Sequence, residues 1–347
     1  MVFSYYLRKY PYSLIYGLLK LLRAPRETVF YCRELQDWDA FEPVQKHLKP
    51  ITVVTNKAHV RKHLKNLNIK TKGMLCFPKA VIMARHSCYK FPSDDIIKIG
   101  MRHGPYHFKK MTRAENYNQF DRYLMTSKDD VAEGVKTGIS CAVAVGYPKL
   151  DPALNHDYGS EYLKQLRGFA GMKADRPTLL FSATWLGSGM SALLYWYDRL
   201  NLLTDKFNVL VTLHPWIGEE YRAKVKQRGA YLIETNHIPF IYLADLVIGD
   251  TSSLLAEACA LDKPIITWQT GTARRSLEKI DKILRDISLR ISNWDELEPA
   301  IERLLHEPEL LRKARAEANQ LMFDELDGRA GERAASEIIK LLPELRP

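Results

Sequence analysis

The sequence predicts an α/β protein made of two doubly wound, Rossmann-like domains. Short β-branched runs alternate with segments of helical spacing, the pattern of parallel sheets covered on both faces. The alternation runs once, pauses over a less apolar stretch at 151–176, and then runs again. A chain of 347 residues, 46% of them hydrophobic, suits two cores better than one.

The first run opens with the apolar strand Thr28–Cys32, then a helix over 37–48. Ile51–Thr55 is the second strand, and 57–66 a basic helix. Met74–Phe77 and Val81–Ala84 are short apolar runs, and Ile96–Met101 is another strand. A helix over 128–138 leads to the strand Cys141–Val145, which ends in the Gly/Pro turn "GYPKLDP". Residues 151–176 read as helix plus linker. The second run pairs strand Thr178–Ser182 with helix 190–204, and strand Val209–Leu213 with helix 218–228. Tyr231–Ile233 precedes a short helix near 238–243, and Asp245–Ile248 a helix over 253–261. Strand Ile265–Trp268 follows, and helices at about 293–306, 308–321 and 329–342 close the chain. The expected division is a segment 1–25, a domain over 26–160 and a domain over 161–347.

Residues 1–25 are apolar and aromatic but carry Arg8, Lys9, Lys20 and Arg23. The longest uncharged run, Tyr10–Leu19, is about half of what a membrane span needs. No small-residue cleavage site follows, so a signal peptide is not expected. The mixture suits either a helix packed on the protein's own core or one lying in a membrane interface.

Charged residues make up 27% of the chain, which excludes a disordered class. The net charge of +10 implies an anionic partner: nucleic acid, an anionic membrane or a phosphate-bearing substrate. No basic helix with interleaved aromatics and no nucleic-acid motif appears, so nucleic acid is not expected. Cys32, Cys76, Cys88, Cys141 and Cys259 are scattered, without a CxxC pair. They support neither a zinc site nor a disulfide framework and suit a reducing, cytoplasmic setting.

In doubly wound sheets ligands bind beyond the carboxyl ends of the strands, so the residues standing there carry the argument. His103 follows Ile96–Met101, with Arg102 before it and Gly104 after it, and Lys109 and Lys110 further on. Its imidazole is either a capping or core group, or a base for an attacking hydroxyl. His214, after Val209–Leu213, poses the same choice, and two histidines at corresponding strand ends favour function. After Thr178–Ser182, Thr184, Gly187, Ser188 and Ser191 form either an ordinary Gly-rich turn or an anion nest. After Asp245–Ile248 stand Asp250, Thr251, Ser252 and Ser253 at a helix start. Such a start is a cap, a phosphate site, or both. Asp250 suits the loop itself or a ligand hydroxyl, and Glu257, one turn on, is either a ribose ligand or a solvated residue. No acidic cluster has metal-ligand spacing, so no cofactor is expected, although Mg2+ on the phosphates is admissible.

These segments, in order, resemble the CDP-glycerol glycerophosphotransferase family of teichoic-acid primases and polymerases. The matching stretches are "RHGPYHFKK" (102–110), "FDRYLMTS" (120–127), "VGYPKLD" (145–151) and "LLFSATW" (179–185). They continue with "LHPWI" (213–217), "ADLVIGDTSSLLAEACALDKPII" (244–266) and "FDELDGRAGERAASEII" (323–339). The resemblance implies a GT-B fold, two Rossmann-like domains facing across a cleft, with acceptor on the first and nucleotide donor on the second. It implies transfer of a polyol phosphate, glycerol phosphate foremost, from a CDP-polyol to a hydroxyl of a lipid-linked or glycan acceptor, with release of CMP. By position, His103 would be the base and His214 would contact the donor phosphates. Ser252 and Ser253 would hold the diphosphate, with Asp250 fixing the loop. Arg102, or Arg274 and Arg275, would add cations. Such an enzyme would work peripherally on the inner face of the cell membrane, against an anionic lipid surface. Two departures stand out: Thr251 replaces the family's Tyr, and Met101–Arg102 stands where the family usually has a Trp before His-Gly. The rival reading is a GT-B glycosyltransferase or epimerase that uses a UDP-sugar.

Overall fold

The computed structural model describes residues 2–22, 27–106, 110–271 and 277–347. Lys109, Arg274 and Arg275 lie outside these described residues. The chain divides into two compact units, one of residues 1–103, 112–149 and 329–347, the other of 104–111 and 150–328.

The first unit begins with helix α1 (Val2–Leu21), then β1 (Thr28–Tyr31), α2 (Leu35–Gln45), β2 (Thr52–Val54), α3 (Ala58–Asn66) and β3 (Thr71–Lys72). β4 (Ala80–Met83), β5 (Ile97–Met101), α4 (Ala114–Tyr117), β6 (Arg122–Met125), α5 (Lys128–Lys136) and β7 (Ala142–Ala144) follow. The sheet order is β3-β2-β1-β4-β5-β6-β7, and every pairing is parallel. The chain winds outward from β1 to β3 and returns to β4, so the topological switch point lies between β1 and β4. Phe30 and Phe41 stack at 4.1 Å in the core, with Trp38 edge-on to both. Burying such a ring contributes about 1.5–3 kcal/mol.

The second unit contains α6 (Asp151–Leu154), α7 (Ser160–Phe169), β8 (Thr178–Ala183), α8 (Leu193–Trp196), β9 (Asn208–Leu213) and α9 (Glu219–Gln227). It continues with β10 (Tyr231–Leu232), α10 (Ile238–Leu243), β11 (Leu246–Gly249), α11 (Leu254–Ala260) and β12 (Ile265–Trp268). α12 (Glu278–Ile287), β13 (Leu289–Ile291), α13 (Leu297–His306) and α14 (Arg312–Phe323) complete it. Its sheet, β10-β9-β8-β11-β12-β13, is again fully parallel, with the switch point between β8 and β11. Phe181 and Trp196 pack at 5.2 Å in its core.

Several expectations need correction. The last helix, α15 (Ala330–Leu341), belongs to the first unit, not the second. Its apolar face explains this: Ala334, Ala335 and Ile338 join Phe41 and Val44 in the first core. The units part between Lys149 and Leu150 rather than at 160. The continuous helix expected over 190–204 is broken into α8 and a 3-10 turn at Leu200–Leu202. Its first residues are diverted, since the Ala192 N–H donates to Asp250 instead of a helical carbonyl. Strand β11 starts after Asp245, whose carboxylate accepts from Thr178 N at 2.7 Å. Unexpected elements are β3, β6, α4, α12 and β13.

Candidate active site

In the first unit, β5 delivers His103 two residues past its end, beside the switch point. Parallel pairing sets Met83 opposite Gly100, so Ala84, just beyond β4, runs alongside the end of β5. His103 Nδ1 lies 2.9 Å from the Ala84 carbonyl oxygen. A carbonyl only accepts, so Nδ1 carries the proton and Nε2 is the basic nitrogen. The His103 backbone is held as well, its carbonyl accepting from Tyr147 Oη at 3.1 Å. Protein packed around the ring disfavours its charged form, and the nearby cations Arg85 and Arg102 add to this. Together they push the pKa down to about 4. The residue is nonetheless exposed. Water therefore tempers the desolvation, while the two arginine charges remain.

Arg102 acts on His103 through its charge only, because its guanidinium is committed to an ion pair. Its side chain is buried and paired with Asp130 at 2.6 Å, on the first turn of α5, where Ser127 Oγ caps the Asp130 N–H. Asp130 is buried too. The guanidinium thus ties the loop after β5 to α5, which is a structural task. Gly104 is half-buried and Lys110 exposed.

In the second unit, the switch point is closed by Asp250, which is fully buried. Its carboxylate accepts from Thr184 N at 3.0 and 3.1 Å and Ala192 N at 2.9 Å. It also accepts from Thr251 N at 2.5 Å and Ser252 N at 2.9 Å. One side chain therefore joins the loop after β8 to the loop after β11. Burial raises its pKa to about 6, with those N–H donors working in the opposite direction. This corrects the simple helix-start picture. α11 has seven residues, and the N–H groups of Thr251 and Ser252 are committed to Asp250.

Hydroxyls make up the rest of this cluster. Ser252 Oγ accepts from Ser182 Oγ at 3.2 Å, across the β8/β11 switch point. Thr251 Oγ1 is buried and has no hydrogen-bond partner among the described residues. Ser191 Oγ donates to the Thr184 carbonyl, and Ser188 Oγ accepts from Met190 N, so both shape the loop. Gly187 lies under the Trp185 ring: a Cβ there would stand 2.2 Å from it.

His214 follows β9. Its Nδ1 accepts from the Trp216 N–H at 3.2 Å, which puts the proton of the neutral ring on Nε2. His103 and His214 therefore hold opposite tautomers, one protonated on Nδ1 and the other on Nε2. Trp216 is exposed and packs edge-on to Trp185 at 5.2 Å. Among the described residues no cluster of His, Cys, Asp and Glu has the arrangement to hold a metal.

The comparisons decide the family. Its profile, CDP-Glycerol:Poly(glycerophosphate) glycerophosphotransferase, matches residues 96–340. The chain belongs to the CDP-glycerol glycerophosphotransferase family. Teichoic acid ribitol-phosphate polymerase TarL of Staphylococcus aureus is 24% identical over 203 residues, 54% of this chain and 35% of that protein. The teichoic acid poly(ribitol-phosphate) polymerase of Bacillus spizizenii is 20% identical over 275 residues, 73% of this chain and 42% of that protein. This glycerophosphotransferase-family chain thus spans less than half the length of the curated relatives it matches. A solved structure of the wall teichoic acid polymerase TagF superposes with a TM-score of 0.69 at 13% identity, covering 97% of this chain and 98% of that one. UDP-GlcNAc 2-epimerase from Neisseria meningitidis superposes at 0.60 and 14% identity, covering 92% and 100%. Both share the fold, which is GT-B.

His237, which carries no expectation from the sequence, lies next to Glu257. It caps α10 and meets Glu257 of α11 at 2.6 Å. The available signal was a histidine directly before "IPF", where Pro239 in the first helical turn marks a helix start.

Proposed function

We propose that this chain transfers a polyol phosphate, glycerol phosphate foremost, from a CDP-polyol to a hydroxyl of a lipid-linked or glycan acceptor. The acceptor oxygen attacks the phosphorus that bears the polyol. A new P–O bond forms, the bond to the bridging oxygen breaks, and CMP leaves with the electron pair. His103 Nε2 takes the hydroxyl proton. Ser252, Ser253 and Thr251 bind diphosphate oxygens, and His214 donates Nε2–H to a phosphoryl oxygen whose charge grows in the transition state. Thr184, Gly187 and Ser188 form the facing loop, and Glu257 receives ribose hydroxyls. The observation that carries this reading is the tautomer of His103, fixed by Ala84 so that the basic nitrogen is Nε2.

The chain is further proposed to work on the inner membrane face. No helix of the described residues is long and apolar enough to cross a membrane. α1 turns Tyr12 and Tyr16 inward, onto the carbonyls of Cys76 and Pro78 at 2.8 and 3.1 Å. It leaves Tyr10, Leu14, Ile15, Leu18, Leu21 and Leu22 exposed, which supports interfacial contact. On this reading one face of α1 packs on the protein and the other meets the membrane.

The test is donor turnover. Incubated with CDP-glycerol, CDP-ribitol and a panel of UDP-sugars, the protein should release CMP from a CDP-polyol. Release of UDP alone would replace this reading with the nucleotide-sugar one.

A further inference from the structure

Residues 43–93 carry eleven Lys and Arg side chains and no Asp or Glu. The net charge of the whole chain is +10, so this one segment holds more than the entire excess. Charge gathered in this way marks a surface for an anionic partner. Every pairing in the first sheet is parallel, so the residues just before each strand share one edge. His103 and Ala84 stand at the other edge.

Three lysines of this segment lie on the amino edge. Lys49 precedes β2, Lys65 is in the last turn of α3, and Lys70 precedes β3. The Lys70 carbonyl accepts from Val53 N at 2.9 Å, which sets it beside the start of β2. All three are exposed, and none forms an ion pair among the described residues. The nearby carboxylates are already engaged: Glu27 pairs with Lys72 and Glu344 with Lys79, each at 2.7 Å. Leu67, between Lys65 and Lys70, is 52% exposed.

Helix α1 lies on the same edge. Tyr12 and Tyr16 bond the carbonyls of Cys76 and Pro78, just before β4. Lys9 and Lys20 reach Asp94 and Asp95, just before β5, at 3.7 and 2.5 Å. α1 therefore offers exposed leucines but spends these two lysines on holding itself to the unit. Leu75, next to the Cys76 carbonyl that Tyr12 takes, is 90% exposed. Binding at a membrane interface draws on buried apolar area and on attraction to anionic lipid together. Here the two contributions come from neighbouring elements of one edge. Residues 49–75 contain no Phe, Tyr or Trp, so the bases of a nucleic acid have no platform to stack on.

We propose that Lys49, Lys65 and Lys70, with Leu67 and Leu75 among them, form the headgroup-binding half of a membrane surface whose apolar half is α1, and that its partner is an anionic lipid leaflet. This rests on the membrane reading of α1 given above. A leaflet seated on the amino edge leaves His103, at the carboxyl edge, uncovered.

The test is co-sedimentation of the full chain with vesicles of phosphatidylcholine, alone or mixed with phosphatidylglycerol. Two triple variants are compared with it. One is Lys49→Gln/Lys65→Gln/Lys70→Gln. The other, Lys173→Gln/Lys282→Gln/Lys313→Gln, removes the same charge from the second unit. All six lysines are exposed, so both variants should keep the thermal midpoint. The unsubstituted chain should bind the anionic vesicles. The first variant should bind them about 100-fold more weakly, about fivefold per charge, and should partition onto neutral vesicles as before. The second variant should stay within about threefold of the unsubstituted chain. Equal weakening in both variants would mean that net charge alone acts, and would overturn the proposal. So would anionic-vesicle binding by the first variant as strong as that of the unsubstituted chain. Loss of duplex DNA binding in that variant, with vesicle binding kept, would make the edge a nucleic-acid surface instead. Each of these results leaves the reading of α1 standing. Failure of the unsubstituted chain to bind any vesicle would overturn that reading, and this inference with it.

Discussion

His103 Nδ1 donates to the Ala84 carbonyl oxygen at 2.9 Å, and this contact decides which ring nitrogen takes a proton. His103→Ala should lower transfer by about 10²- to 10⁴-fold, the usual worth of a positioned base. Its affinity for CMP should stay unchanged. CMP release and CMP binding, measured on the same preparation, separate the two. A matched loss of nucleotide affinity would make His103 a donor ligand instead.

The pH profile follows from the same ring. Surrounding protein, then Arg85 and Arg102, disfavour the imidazolium, so the folded pKa falls from 6.5 to about 4. The base should remain neutral down to about pH 5, and kcat/KM should bend downward only near pH 4. The sign for stability is set by the unfolded chain, which takes up this proton first as pH falls. Stability from neutral His103 is present above pH 6.5 and is lost as pH drops toward 4. A kinetic bend at pH 6.5 would mean that the ring behaves as it does in open water.

Asp250→Asn should weaken both stability and donor binding. The amide keeps one acceptor and turns an N–H₂ toward the N–H groups of Thr184 and Ala192. The expected cost is about 2–3 kcal/mol in denaturant melts, from donors left unsatisfied. Donor KM should rise more than kcat falls, because the two loops lose their tie. Burial raises this carboxyl from 3.8 to about 6, so the fold holds its proton more tightly than the unfolded chain does. That contribution is fullest below pH 3.8 and disappears as pH climbs through about 6. The Asn variant, which cannot titrate there, should lack this slope.

Arg102 and Asp130 form a buried pair at 2.6 Å. Asp130→Ala leaves a buried guanidinium without its carboxylate and should cost about 3–5 kcal/mol. At temperatures where the variant remains folded, acceptor KM should be unchanged. A selective rise in acceptor KM would return Arg102 to the acceptor site.

Leu14 and Leu18 are 68% and 56% exposed on α1. Leu14→Ser with Leu18→Ser should weaken binding to anionic vesicles by more than about tenfold without moving the thermal midpoint. Tyr16→Phe should do the reverse, because its hydroxyl bonds the Pro78 carbonyl. A drop in midpoint for the double Ser variant would place that face in the core.

Elements whose period and punctuation agreed were legible in the sequence. α10 and β12 fall at the expected residues because Pro239 starts the one and Pro264 precedes the other. β6 was hidden by its brevity, since Arg122–Met125 holds only one clear apolar pair after a charged start. α12 is plainly amphipathic, with Ile280, Ile283, Leu284 and Ile287 buried, but it follows strand β12 without a recognisable cap. The strand-end residues were legible as a set, because topology alone puts them at the sheet's carboxyl edge. Their tautomers, the five N–H contacts on Asp250 and the His237–Glu257 pair were not. The His103 tautomer, the Thr184 and Ala192 contacts on Asp250 and the His237–Glu257 pair depend on partners distant in the chain, and the His214 tautomer on the turn its ring makes with the Trp216 N–H.

Helix α15 fills the core of the unit that begins the chain, with Ile338 and Leu342 packed among Phe30, Phe41 and Val44. On the ribosome this inverts the order of completion. The half that is made first waits, with an open apolar groove along α2, until residues 330–345 have emerged, by which time the whole second unit has been synthesised. A nascent chain of this design completes the core of the first unit only after the second unit has been synthesised.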